Sequence, residues 1–200
     1  MVLPNWATAA FEEYRGNRIA AYLSEFVGAS DTVLDCGCGS VFVAQSLGRR
    51  SGARVFGADV IRLNRADLSM CLCAGERLSF ADESFETVCL IFVLHHAAHP
   101  VQVLGECLRV AGRRVIVLED VYRNGLELQW LKAMDWIGNR PVSAEMNLPF
   151  NFRSEREWLQ VFKGLGVDLV EVASVRPLPW LPVQHRGFVL NKRRHDQPCQ

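Results

Sequence analysis

The chain has no excess of charge of either sign: 22 Lys and Arg stand against 22 Asp and Glu. Proteins that hold nucleic acid through its phosphates concentrate basic residues. The single basic cluster here, Lys192-Arg193-Arg194, reads as part of a solvated tail. No apolar run approaches the ~18 residues of a membrane span. Glu12, Glu13 and Arg15 interrupt the N-terminal segment before a signal-peptide core can form, so a cytosolic location is expected. Internal repeats and low-complexity tracts are absent. The seven cysteines are an odd number: Cys36, Cys38, Cys71, Cys73, Cys89 and Cys107 fall in apolar or turn segments, and Cys199 falls in the tail. Reduced thiols are expected in that setting. The Cys-x-Cys pairs lack the ~2–4-residue spacing of structural zinc ligands, and no metal is expected.

What is present suits one folded domain. Half of the 200 residues are hydrophobic, enough for a substantial core. One domain over residues 1–191 with a flexible tail over 192–200 is the expected organisation. A leading helix over residues 6–27 carries Ile19, Leu23 and Phe26 on one face and stops at Gly28. Strands are expected at Thr32–Asp35, Arg54–Asp59, Met70–Cys73, Thr87–Leu94, Arg114–Leu118, Val167–Val175 and Gly187–Leu190. The last two are read as an antiparallel pair. Ser40 is a plausible N-cap for a helix reaching Arg50. Pro100 opens another helix, which Gly112 closes. The segment between Asp59 and Met70 is too short and polar for more than a turn. A tryptophan-rich helix spans 126–137, with Trp130, Met134 and Ile137 read as core packing. Ser154-x-x-Glu157 is a capping box opening a helix with Trp158 and Phe162 on one face. Strands alternating with helices imply a mostly parallel sheet with right-handed crossovers.

One stretch carries chemistry. Thr32-Val33-Leu34-Asp35-Cys36-Gly37-Cys38-Gly39-Ser40 reads as a buried strand running into a glycine turn, and Asp59 closes the next strand. Glycines let a backbone approach a ligand closely, helix N–H groups receive its anionic end, and the later acid holds ribose hydroxyls. In a dinucleotide fingerprint the third glycine would fall on Phe42, which speaks against a nicotinamide-dependent oxidoreductase.

The string Val33-Leu34-Asp35-Cys36-Gly37-Cys38-Gly39 instead resembles the first motif of class I S-adenosylmethionine-dependent methyltransferases. The segment Gly75 to Val88, the strand end Phe92-Val93-Leu94-His95-His96, the helix from Pro100 and the strand Arg114 to Glu119 resemble that family in the same order, over roughly residues 30–120. The small-molecule, type 11-like branch is the most similar. The resemblance implies an α/β fold: a Rossmann-like three-layer sandwich with a mostly parallel seven-stranded sheet and an antiparallel final strand. It implies S-adenosylmethionine as cofactor, with S-adenosylhomocysteine as product. Asp35, Gly37, Cys38, Gly39, Asp59, Val60, Ala74, Gly75, Glu76 and Phe92 would form the cofactor site.

His95, His96, Glu119 and Asp120 would face the acceptor, with His96 or His95 as the base and His185 within reach. Asp135, Trp136, Asn139 and Asn151 lie where the family caps its acceptor pocket. The strand end lacks the Asx-Pro-Pro-aromatic motif common among enzymes that methylate base amino groups. A small-molecule acceptor is therefore expected, with no nucleic-acid or membrane partner. Two departures stand out: Val41 where the family has glycine, and Ala74 where it has an acid. They motivate the alternative of a degenerate, cofactor-binding relative with a regulatory or structural role.

Overall fold

The computed structural model describes residues 5–63, 67–139 and 149–193. Asn64, Arg65, Leu148, Arg194 and Cys199 lie outside them, as does most of the expected tail. Seven strands form one sheet in the order β3-β2-β1-β4-β5-β7-β6. Their ranges are β1 Thr32–Cys36, β2 Arg54–Asp59, β3 Met70–Leu72, β4 Phe85–Ile91, β5 Ala111–Val121, β6 Asp168–Val175 and β7 Gln184–Asn191. The first five run parallel, and β7 lies antiparallel between β5 and β6. Helices cover both faces, so the layers, the mostly parallel sheet and the antiparallel final strand are those that the resemblance implied.

The period-2 alternation of the central strands sorts the core onto two faces. Leu34, Val88, Leu90, Val115, Val117 and Phe188 turn to one face. There they meet Leu104 and Cys107 of α3 (Pro100–Val110) and Trp158 and Phe162 of α5 (Glu155–Gly164). Val33, Cys89, Ile91, Ile116 and Leu118 turn to the other. They are covered by Ile19, Ala20 and Leu23 of α1 (Asn5–Leu23) and Leu47 of α2 (Phe42–Ser51). Helix α5 begins with the full capping box of Ser154 and Glu157.

Several expected boundaries move. Ser40 does not cap α2; its N-cap is Val41, with φ 63° and no side-chain bond to the helix. Strand β4 stops at Ile91 rather than Leu94: Phe92 turns to φ 58° and residues Leu94–His96 form one 3-10 turn. Hydropathy cannot signal that end, because Phe92-Val93-Leu94 prolong the apolar run beyond the strand. Gly112 does not close α3; the chain turns extended at Ala111 and Gly112 already belongs to β5. Residues 60–63 and 67–69 carry no helix, as the polar composition suggested.

The tryptophan-rich helix α4 (Gly125–Asn139) differs most from its reading as core packing. Among its described side chains only Leu131 is buried, while Trp130 is 46% and Ile137 58% exposed. Its apolar residues run round the whole helix, so they cannot all face inward at once. Among the described residues the cysteines are free thiols, and no helix is long and apolar enough to cross a membrane.

Candidate functional site

Strand β1 has β2 on one side and β4 on the other, so the chain order reverses there. In open parallel sheets the crevice beyond the carboxyl ends at such a point receives ligands. The β1–α2 turn is built for it. Gly37 and Cys38 N–H both donate to the Ala58 carbonyl, at 2.7 and 3.1 Å, locking the turn to the end of β2. A side chain at Gly37 would stand 2.3 Å from Val93 Cγ2, with φ at 82°. At Gly39 the opposite holds: nothing lies within 4 Å of where a side chain would begin. One glycine is demanded by packing, and the other leaves open space above the turn.

Asp59 serves both neighbouring turns. Its carboxylate accepts from Gly39 N–H at 2.8 Å and from Ile61 N–H at 3.2 Å. Each oxygen keeps a lone pair free of these bonds. Cys73 N–H donates to the Asp59 carbonyl at 2.9 Å, which brings Ala74, Gly75 and Glu76 alongside. Ala74 and Val60 are exposed, and Gly75 and Glu76 half-buried.

A cavity of about 120 Å³ lies on the glycine turn, lined by Asp35, Gly37, Gly39, Ser40, Glu12 and Arg15. Asp35 is 2% exposed, and its Oδ1 has no hydrogen-bond partner among the described residues. Burial, aggravated by the Asp59 charge, pushes its carboxyl up to about 7. Burial likewise lowers the Arg15 guanidinium, against Asp120 and Glu12. Arg15 and Glu12 come from α1 and carry no motif, so only the packing of α1 over the crevice reveals them.

Val41 shows a cost at this site. It is fully buried, and a β-branched residue at φ 63° is strained. Val41→Gly removes ~1–2 kcal/mol of left-handed strain but forfeits a buried side chain worth about 1.5–3 kcal/mol. Val41→Ala forfeits much of the packing and keeps the strain. Denaturant titration is expected to find the alanine variant less stable than the glycine variant; the reverse order would show the strain to be negligible.

The ends of β4 and β5 build a second cluster. Glu119 is fully buried. Its Oε1 accepts from Val93 and Leu94 N–H at 2.9 and 2.7 Å, and its Oε2 meets His95 Nδ1 at 2.6 Å. A carboxylate offers no proton, so His95 Nδ1 carries one. Phe152 stacks on the His95 ring at 4.6 Å, and Asn151 N–H donates to the His95 carbonyl at 2.9 Å. The Asn151 side chain donates to the Ala97 carbonyl at 2.7 Å, so it holds the loop rather than facing outward. His95 and His96 both direct Nε2 at Asp135 Oδ1, at 3.6 and 3.5 Å.

Burial opposes charge on His95, but the Glu119, Asp135 and Asp120 carboxylates prevail and push it up to about 10. Burial and the adjoining His95 push His96 down to about 4. His95 and Glu119, expected to face an acceptor, are instead enclosed, with His95 2% exposed; His96 has 23% of its side chain at the surface. Asp120 pairs with His185 Nδ1, and the His185 ring packs edge-on against Phe92 at 5.2 Å. His185 also borders a larger cavity of about 480 Å³, with Arg123, Trp130, Arg176 and Trp180 in its wall.

Residues 34–117 match the sequence profile of a family described as "Methyltransferase domain". They span the glycine turn, Asp59 and the histidine pair. Residues 34–117 carry a methyltransferase domain. No curated protein sequence matches the chain. Solved structures share the methyltransferase fold at low identity. A candidate methyltransferase solved in complex with the Haloferax volcanii Trm112 methyltransferase activator superposes with a TM-score of 0.68 at 18% identity, covering 90% of this chain and 92% of that one. Geranyl diphosphate methyltransferase, solved in complex with S-adenosylmethionine, gives 0.68 at 14%, covering 88% and 85%. A Methanosarcina mazei S-adenosylmethionine-dependent methyltransferase gives 0.62 at 16%, covering 86% and 96%.

Proposed function

We propose that this methyltransferase domain methylates a small-molecule acceptor by in-line transfer, with the cofactor seated on the glycine turn. The observation that carries the reading is Asp35: a buried carboxylate with an unpartnered oxygen on the wall of a cavity floored by Gly37 and Gly39. A buried acceptor without a donor is costly, and an ammonium group satisfies it. Arg15 on the same wall would pair with the amino-acid carboxylate. Asp59 has lone pairs left for a ribose diol, and Val60, Ala74, Gly75 and Glu76 would flank the base. Cys38 and Phe92 would border the middle of the ligand.

S-adenosylmethionine supplies an electrophilic methyl group when bound. The protein's task is then to hold an acceptor atom in line and exclude water, which contributes up to ~7–11 kcal/mol. Arg15 of the glycine-turn cavity lies over the Phe92 ring, and Phe92 packs against His185 in the wall of the 480 Å³ cavity, a volume suited to a small ligand. Its tryptophans favour an acceptor with a flat apolar part. His96, neutral and partly exposed, would take the proton that the acceptor loses, with His95 as its positioning residue.

Calorimetric titration with S-adenosylmethionine and S-adenosylhomocysteine tests this. Micromolar binding of both is expected. Arg15→Ala is expected to weaken both about tenfold or more, through loss of a charge-assisted hydrogen bond worth ~1.5–3 kcal/mol. Asp59→Ala is expected to do the same and also to lower stability by about 1 kcal/mol, because two turn N–H groups lose their acceptor. No binding of either ligand at millimolar concentration would overturn the reading.

A further inference from the structure

The histidine pair, Asp135 and Glu119 form an arrangement that methyl transfer from a sulfonium does not require. The Nε2 atoms of His95 and His96 and an Asp135 oxygen all lie within 4.8 Å of one another. The two nitrogen–oxygen separations are 3.6 and 3.5 Å. Those are long for N–H···O hydrogen bonds, which cluster at ~2.7–3.2 Å. They match the ligand-to-ligand spacing of a tetrahedral ion, since bonds of about 2.0–2.2 Å set ligand atoms ~3.4 Å apart.

The support behind the ligands points the same way. Histidines that bind metal characteristically donate their other ring N–H to a carboxylate, which fixes tautomer and ring angle. His95 does this to Glu119 at 2.6 Å, and Glu119 is itself held by two backbone N–H groups. Phe152 clamps the ring from one face.

A proton shared by His95, Glu119 and Asp135 accounts for only part of the arrangement. It leaves His96, whose Nδ1 is buried without a hydrogen bond among the described residues, aimed at an oxygen already serving His95. The two rings lie 4.0 Å apart, an approach that a shared cation explains.

We infer that His95, His96 and Asp135 form a binding site for one divalent first-row transition-metal ion, with Glu119 as the carboxylate that orients His95. Two imidazoles and one carboxylate are the donor set of catalytic zinc and of non-haem iron(II) sites. Magnesium and calcium prefer an all-oxygen shell. Ligation displaces the proton that His95 Nε2 otherwise carries, releasing it to solvent, and three protein ligands leave a fourth position for water or an acceptor oxygen. A ligated His96 has no lone pair for a proton, so an ion would replace it as the group that activates the acceptor. The sequence hid this site: its ligands are two adjacent residues and a third 39 positions on, a spacing that matches no metal motif.

The experiment is titration of the full-length, metal-stripped protein with Co²⁺, followed by visible absorption, with Zn²⁺ as competitor. One equivalent is expected to bind at micromolar concentration or tighter, with the d–d bands of a four- or five-coordinate nitrogen–oxygen site, and Zn²⁺ is expected to abolish them. His96→Ala and Asp135→Asn are each expected to weaken binding at least tenfold. S-adenosylmethionine titration of the same variants shows whether they remain folded. Cys71 and Cys73, with Sγ atoms 3.6 Å apart, are the rival ligands. Thiolate charge-transfer bands alone, binding unchanged in folded variants, or no band at 0.1 mM Co²⁺ would overturn the site. A protein that binds S-adenosylmethionine but no ion would sink this inference and leave the cofactor reading standing.

Discussion

Asp35→Asn is expected to weaken S-adenosylmethionine binding about 10- to 100-fold at pH 8, the loss of one charge-assisted hydrogen bond of ~1.5–3 kcal/mol. Asp35 is carboxylate only above about pH 7, because burial and the nearby Asp59 charge disfavour ionisation. The cofactor's ammonium selects the ionised form. In the wild type, affinity should therefore rise with pH towards and through 7 and level off above it, as the proton no longer has to be displaced. Asn at 35 should flatten that dependence.

Stability runs the other way. The folded pKa lies above the usual value of 3.8, so the stabilising contribution is complete below pH 4 and is lost as pH rises to about 7. A rise of about 3 units corresponds to roughly 4 kcal/mol. The gap in stability between wild type and Asp35→Asn should move by that order, in favour of the variant, between pH 4 and pH 8. Chemical denaturation at the two pH values measures it. A gap that does not move would mean that Asp35 is solvated, and the cofactor argument would lose its main support.

The second large effect is expected at Glu119, which no ligand need touch. Glu119→Ala removes a fully buried carboxylate that serves two backbone N–H groups and His95. Removing one partner of a buried ion pair costs about 3–5 kcal/mol. In a domain of this size ~1 kcal/mol shifts Tm by about 2–4 °C. Differential scanning calorimetry should find a fall of roughly 6–20 °C. Glu119→Gln keeps an oxygen for Val93 and Leu94 and should lose distinctly less. Equal losses would assign the effect to the His95 contact alone. A loss below ~1 kcal/mol in both would mean that water replaces the carboxylate.

The residues that were legible in the sequence owe it to local patterning. The glycine turn announces itself because Gly37 cannot carry a side chain against Val93. The capping box of α5 and the start of α3 at Pro100 are likewise written within a few residues. The end of β4 was not legible, because Phe92-Val93-Leu94 stays as apolar as the strand while leaving it. Nor was the exposure of α4, since tryptophan has the same composition signature whether it packs inward or lines a cavity.

The order of strands and helices and the mostly parallel sheet followed from sequence alone. Hydrophobic periodicity and turn chemistry act over neighbouring residues, and the handedness of crossovers does the rest. Tertiary structure alone decided that Val41 is left-handed and that Arg15 reaches the cavity. It also decided that Asp35 is orphaned and that Glu119, His95, His96 and Asp135 converge. Those outcomes depend on which segments are brought within a few ångströms of each other. Partner, burial and charge state are properties of that proximity and not of any single residue.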